Sequence, residues 1–441
     1  MRIHKKWIVL LLTSVMLMFS GCMRTVDQMY TPPKRSEEFT ELQTAIDKAM
    51  TNMVYCAPTS GENQQTVQSA DLNGDGIAEY LLFAKGDSEH PLQILIFQQI
   101  DDNYELIQTI DCNGTAFDMV EYVQMDQSQG MELVVGTKLA DRIMKSVSVF
   151  TFHDMLNAEL LVCTSYSECL TTDIDGDNTS ELFVLKPGQL ETDNGIAEIY
   201  EIKNGVIERS NEMGMSGPVN KLKRILAGKI HDGIPAVYVA TTVDDTALIT
   251  DVYAYIEGKL VNVTFTNESG TSVKTIRNYY VYADDIDNDG VVELPYLLPM
   301  MPMEDVLNSV RQELIRWYAL TADGKEVVKT HTYHNYVGGW YIELGGAWAS
   351  RLTVVSQNNS FVFYLWDDRF ENAEKLMTVF VLSGQNRLAQ VEEGSMFMLQ
   401  ESSTITYAAK LEQCAADYGI TEQSIINSFH MIRQDWKTGE K

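Results

Sequence analysis

A mainly β fold, a β-propeller of about five four-stranded blades followed by a small C-terminal α+β domain, is what this 441-residue sequence predicts, and three observations carry it. An acidic nine-residue phrase occurs three times, each time running into an apolar strand-like segment. Short alternating runs joined by Asn-Gly, Asp-Gly and Glu-Gly pairs fill the stretches between, as β-hairpins do. The unit recurs at roughly 50 residues, the length of one four-stranded propeller blade.

The first 22 residues come before that repeat. Arg2, Lys5 and Lys6 precede an apolar run from Trp7 to Phe19, and Ser20-Gly21-Cys22 closes it. A basic start, an apolar middle and small residues before a cysteine make an export signal. It resembles the bacterial lipoprotein signal, which implies that Cys22 is the lipidated first residue of the mature chain. The expected location is then extracytoplasmic, with the protein held on the membrane through Cys22. A polar tether containing Thr31-Pro32-Pro33 follows. From Ser36, the residues Phe39, Leu42, Ile46 and Met50 fall on one face, which predicts an amphipathic helix within residues 23–65.

The repeat proper is expected over residues 66–345. Its three intact loops are Asp71-Leu-Asn73-Gly-Asp75-Gly76-Ile77-Ala-Glu79, Asp173-Ile-Asp175-Gly-Asp177-Asn178-Thr179-Ser-Glu181 and Asp285-Ile-Asp287-Asn-Asp289-Gly290-Val291-Val-Glu293. Oxygen-bearing side chains stand at positions 1, 3, 5 and 9, and a residue tolerant of positive φ stands at position 6. Hard oxygen ligands at that spacing make a calcium loop. The expected ligands are Asp71, Asn73, Asp75, Glu79 and the Ile77 carbonyl; Asp173, Asp175, Asp177, Glu181 and the Thr179 carbonyl; and Asp285, Asp287, Asp289, Glu293 and the Val291 carbonyl. An EF-hand needs a glutamate at position 12 and flanking helices. Position 12 here is Leu82, Val184 or Tyr296, each inside an expected strand.

Two intervals of 102 and 112 residues separate the intact loops, so a weaker copy should lie midway in each. Asp126-Gln-Ser-Gln-Gly130-Met-Glu132 and Asp232-Gly233-Ile-Pro stand there, and both are expected to be metal-free turns. Hairpins are expected at Leu92–Phe97 with Tyr104–Gln108, at Ile199–Ile202 with its Asn204-Gly205 turn, at Val252–Ile256 with Glu257-Gly258 and at Leu314–Tyr318 with Asp323-Gly324.

The acidic loop followed by an apolar strand resembles the FG-GAP and VCBS repeats of integrin α-subunit propellers and of many bacterial surface proteins. That resemblance implies up to three structural calcium ions on the blade loops and a propeller that recognises a protein or glycan partner.

Residues 346–441 are expected to form the α+β domain, with strands such as Leu352–Val355, Phe361–Trp366 and Leu376–Leu382. Helices are expected near Thr406–Tyr418 and after Thr421. Aromatic side chains crowd residues 333–366 and are read as buried core.

A formal charge of −29 argues against a nucleic-acid partner, whose phosphates the whole surface would repel. The five cysteines after Cys22 build no zinc spacing. No nucleophile, zinc-protease or nucleotide motif is present. The sequence therefore predicts a membrane-tethered, calcium-stabilised binding or scaffolding module. Its alternative is an extracytoplasmic enzyme, carbohydrate-active for example, working in the propeller funnel.

Overall fold

The computed structural model describes residues 37–432 apart from 87–90, 102, 140–144, 153–156, 191, 244–245, 267–269, 279–280, 301–312, 350 and 367–371. The export signal, Cys22 and the tether lie outside the described residues.

Strands dominate, and they pair into six antiparallel sheets among the described residues. In chain order these span Val54–Cys112, Ala116–Tyr166, Glu168–Gly214, Leu222–Asn262, Leu294–Leu344 and Leu352–Leu411. The second, third and fourth sheets are simple four-stranded meanders. The fifth and sixth have five strands, the fifth gaining Phe429–Met431 from the C-terminal segment. The turns follow their residues. Asn204-Gly205 and Glu257-Gly258 each place two successive residues at positive φ, the twist that suits a two-residue hairpin.

Side chains alternate across each strand, so every sheet has two faces, and successive sheets share the apolar layer between them. Leu81 and Phe83 of the first sheet meet Phe117, Val120 and Leu133 of the second. Val134 and Val149 meet Leu182 and Val184 of the third. Phe183 and Ile199 meet Val237 and Tyr253 of the fourth. Tyr238 and Val252 meet Leu294 and Tyr318 of the fifth. Tyr333, Trp340 and Ile342 meet Leu352, Phe363 and Met377 of the sixth. That last core runs without interruption across residues 345 and 346.

The outer faces of the end sheets are covered by helices. Helix α1, Glu37–Ala49, sets Leu42 and Ile46 against Leu82, Leu95 and Phe97 on the face of the first sheet turned away from the second. Its apolar spacing of four residues is what the sequence predicts. Helix α2, Arg387–Glu393, lies on the sixth sheet. Arg387 Nε donates to Thr406 Oγ1 at 3.1 Å, and Thr406 alternates with Tyr407 of the shared core, so α2 covers the opposite face.

The strands expected after residue 346 pair into a sixth sheet that packs on the fifth. It lacks an acidic loop, and its first two strands turn tightly through Asn358 at positive φ, so the repeat signal is missing there. The helix expected near Thr406–Tyr418 is instead the strand Ile405–Leu411 followed by a short 3₁₀ turn, Gln413–Tyr418. Ala408 and Ala409 carry helical propensity, but both are fully buried between opposite faces of a sheet, and packing overrides propensity. Helix α3, Glu422–Ser428, starts after Thr421 as expected. Thr421 Oγ1 accepts from the Ser424 N–H while Ser424 Oγ accepts from the Thr421 N–H, a capping box.

Candidate metal loops

All three intact acidic loops occupy one topological position. Residues 71–79 join Val67–Ala70 to Glu79–Lys85 in the first sheet, after the short extra strand Val54–Tyr55, and residues 173–181 join the first strand of the third sheet to its second. Residues 285–293 do so in the fifth, where the first strand is reduced to a bridge between Asp284 and Glu293. The weaker copies fill the same junction in the second and fourth sheets, at residues 124–132 and 230–235.

The local chain path follows from two left-handed residues in each loop. Position 6 is Gly76, Asn178 or Gly290, as the sequence predicts, and position 4 is Gly74, Gly176 or Asn288. Glycine and asparagine enter that region at least cost. The turn this makes directs backbone N–H groups inward onto the first carboxylate. Asp71 Oδ1 accepts from Gly74 and Asp75 at 2.8 and 3.1 Å, and its Oδ2 accepts from Gly76 at 2.8 Å. Asp173 repeats all three bonds and Asp285 repeats the last two. Asp75, Asp177 and Asp289 each accept the position-7 N–H, from Ile77, Thr179 and Val291.

Position 9 begins the next strand and points inward. Glu79 Oε2 accepts the Leu72 N–H at 3.0 Å, Glu181 the Ile174 N–H at 2.9 Å, and Glu293 the Ile286 N–H at 3.1 Å. Leu72 and Ile174 are buried between sheets and Ile286 is buried against the fifth sheet, so the core anchors the residue that each glutamate bonds. Glu79 and Glu293 are fully buried, and Oε1 of each has no hydrogen-bond partner. Burial, reinforced by the neighbouring aspartates, pushes the Glu79 and Glu293 carboxyls up to about 7 and that of Glu181 up to about 8.

Carboxylate oxygens of Asp173, Asp175 and Glu181 lie within 4.8 Å of one another, as do those of Asp285, Asp287 and Asp289. Calcium holds oxygens at 2.3–2.6 Å, so ligands on opposite sides of one ion are up to about 5 Å apart. Both clusters fit that span. In the first loop Asn73 replaces an aspartate; its Oδ1 accepts the Asp75 N–H at 3.0 Å and its amide donates to Asp75 Oδ2 at 3.1 Å. The third loop has an internal cation as well, since the Lys329 ammonium bonds Asp289 Oδ2. Nothing in the sequence spacing reveals that contact, 40 residues away.

The weaker copy in the second sheet sits in a different register from the one its first aspartate implies. Glu132 Oε2 accepts the Met125 N–H at 2.9 Å, which places Met125 at position 2, Gln124 at position 1 and Asp126 at position 3. Thr151 Oγ1 donates to Glu132 Oε1 at 3.0 Å, so this glutamate is satisfied on both oxygens. The Gln124 amide donates to the Asp126 and Ser128 carbonyls at 2.8 and 2.9 Å, an N–H pair bridging two carbonyls of this loop. Gly130 is kept for close approach rather than for its turn: a Cβ there would lie 2.6 Å from the Leu72 carbonyl. In the fourth sheet Gly233 does turn at φ 76°, and Asp232 Oδ2 accepts the Ala322 N–H at 2.8 Å.

Adjacent loops are tied by backbone bonds at equivalent positions. The position-8 N–H groups of Met131 and Ser180 donate to the Leu72 and Gln124 carbonyls of the preceding loop at 3.1 and 2.8 Å, and that of Val292 donates at 2.9 Å to the carbonyl of Lys229, the strand residue that enters the preceding loop.

Two other buried carboxylates are paired with cations. Asp118 meets Lys145 at 2.8 Å, Lys138 at 3.3 Å and the Tyr166 hydroxyl at 2.8 Å. Glu198 meets Lys186 at 2.6 Å, Arg209 at 2.8 Å and the Tyr200 hydroxyl at 2.8 Å. Of the aromatic crowd, Tyr333, Trp340 and Tyr341 are buried core, while Tyr336, Tyr364 and Trp366 are half-buried, Trp366 Nε1 donating to Thr353 Oγ1 at 3.0 Å. His334 is buried, stacked on Tyr341 and tilted against Tyr336. Cys56, Cys112, Cys163, Cys169 and Cys414 are all free thiols.

No family model and no curated protein matches the chain. Among solved structures it is similar to a crystal structure of a protein from Lactobacillus plantarum, at 9% identity over 74% of this chain and 95% of that one. The TM-score of 0.28 is too low for that likeness to carry an argument about fold or function.

Proposed function

We propose that this chain is an extracytoplasmic lipoprotein, held on the membrane by a lipidated Cys22, whose stacked sheets are braced by calcium and serve as a binding or scaffolding module. The sheet stack supports a propeller-like fan of the FG-GAP and VCBS kind, with a helix facing each end sheet. One observation carries the calcium reading. A buried glutamate with an unpartnered oxygen stands at the same junction in the first and fifth sheets, and converging carboxylates form at that junction in the third and fifth. A buried carboxylate beside like charges is costly unless a cation joins it. The ligands would be the side chains of positions 1, 3, 5 and 9 with the carbonyl of position 7, and the ion would supply charge neutralisation and cross-linking.

The pairing of Asp118 and Glu198 with lysines and arginines favours a structural use of buried charge over proton transfer. A protein or glycan ligand is the corresponding partner class. At calcium levels tenfold above its dissociation constant, each loop gains about 1.4 kcal/mol. Thermal unfolding of the full chain in calcium and in excess EGTA tests this; identical melting curves overturn the metal assignment. Labelled fatty acid should enter the wild-type chain and not Cys22→Ser.

A further inference from the structure

Counted from the strand or bridge that enters the loop, the fourth strand carries a one-residue bulge at a matching place in four sheets. Pairing skips Ile107 in the first sheet, Leu161 in the second, Ser210 in the third and Lys329 in the fifth. A bulge re-aims the extra side chain, and at Lys329 that side chain reaches the acidic loop. Its side chain is largely covered and its ammonium bonds Asp289 Oδ2, while Asp289 Oδ1 accepts the Val291 N–H at 2.9 Å. Lys329 therefore holds the Asp289 oxygen that the loop backbone leaves available, and Asp287 and Glu293 lie within its electrostatic reach. The first and third sheets place an isoleucine and a serine at this bulge, and among the described residues no lysine or arginine is bonded to their loops.

We propose that Lys329 is a tethered counter-ion that competes with calcium in the third loop, making this the weakest of the three sites and the one that responds to calcium level. This rests on the calcium reading above. With calcium low, the lysine keeps residues 285–293 folded. With calcium high, the ion must displace the ammonium from Asp289 before the fifth position can serve as a ligand. The first two loops have no such substitute and stay loaded at lower calcium.

Calcium titration of the full chain by calorimetry tests the proposal, using wild type, Lys329→Ser (the residue of the third sheet), Lys329→Arg and Asp285→Asn. The site lost in Asp285→Asn is the third loop. Lys329→Ser should tighten that site by about fivefold, the upper range for a partly exposed ion pair, and leave the other two unchanged; Lys329→Arg should keep the wild-type affinity. An unchanged or weaker third site in Lys329→Ser, with the other loops binding normally, overturns the counter-ion role and leaves the calcium reading standing. Absence of calcium binding in every variant overturns both.

Discussion

Leu72 donates its backbone N–H to Glu79 Oε2 at 3.0 Å, and Met125 makes the same bond to Glu132 at 2.9 Å, yet only Glu132 has its second oxygen satisfied, by Thr151. The two glutamates therefore have one structural job in common and differ in the second. Glu132 completes its bonds with protein groups alone. Glu79 leaves Oε1 for something the chain does not supply.

That difference predicts opposite responses to calcium. Glu132→Ala leaves the buried Met125 N–H and the Thr151 hydroxyl unpaired and should cost about 1–3 kcal/mol whether or not calcium is present. Glu79→Gln keeps a side-chain carbonyl to accept from Leu72 but removes the negative charge from the ion's ligand set. It should lower the calcium stoichiometry by one and reduce the stabilisation gained from calcium by about 1.4 kcal/mol at tenfold saturation. Chemical denaturation of each variant with calcium and with EGTA checks both outcomes.

Gly74 and Gly76 separate backbone strain from crowding. Both are left-handed, at φ 73° and 86°, but a Cβ on Gly74 would lie 2.2 Å from the Gln129 carbonyl oxygen of the next sheet's loop, whereas nothing lies within 4 Å of one on Gly76. Gly76→Ala should cost about 1–2 kcal/mol, the left-handed penalty alone. Gly74→Ala must also push two sheets apart and should cost clearly more. Equal melting temperatures for the two variants would contradict the loop-to-loop packing.

Helix α1 should matter far more than its place before the repeat implies. Ile46 is buried against the first sheet, and Ile46→Ala should cost about 2–5 kcal/mol, as for other large-to-small core changes. A surface helix would lose less than 1 kcal/mol. Urea unfolding of the variant distinguishes the two.

The acidic loops, the hairpin turns and α1 were legible in the sequence because each rests on a local rule: ligand spacing, positive-φ residues between alternating runs, and apolar residues four apart. What could not be read arises from pairing between distant segments. Lys329 reaches Asp289 only because a bulge turns it there, and a bulge is a property of register between two strands. The strand Ile405–Leu411 reads as helix until its partners on both sides, Glu374–Ser383 and Phe397–Glu401, are placed. The register of the second-sheet loop depends on Glu132 bonding Met125, and counting from Asp126 leads away from it.

His334 supplies a pH dependence of its own, apart from the acidic loops. Its ring is buried between Tyr341, Tyr336 and Trp317, and burial pushes its pKa down to about 3 from an ordinary 6.5. The unfolded chain thus takes up a proton near pH 6.5 that the folded chain refuses until near pH 3. Wherever the unfolded state binds more protons, stability falls as pH falls, so His334 contributes a loss that begins near pH 6.5 and grows toward pH 3. At about 1.4 kcal/mol per pH unit once well below 6.5, the loss between pH 6.5 and pH 5 comes to about 1.5 kcal/mol. His334→Phe preserves the stack without a titrating group and should remove that part of the slope. Between pH 6.5 and pH 5, with calcium held saturating, the unfolding free energy of wild type should fall by about 1.5 kcal/mol more than that of His334→Phe. Parallel lines would mean that the imidazole takes its proton in the folded state as readily as in the unfolded one.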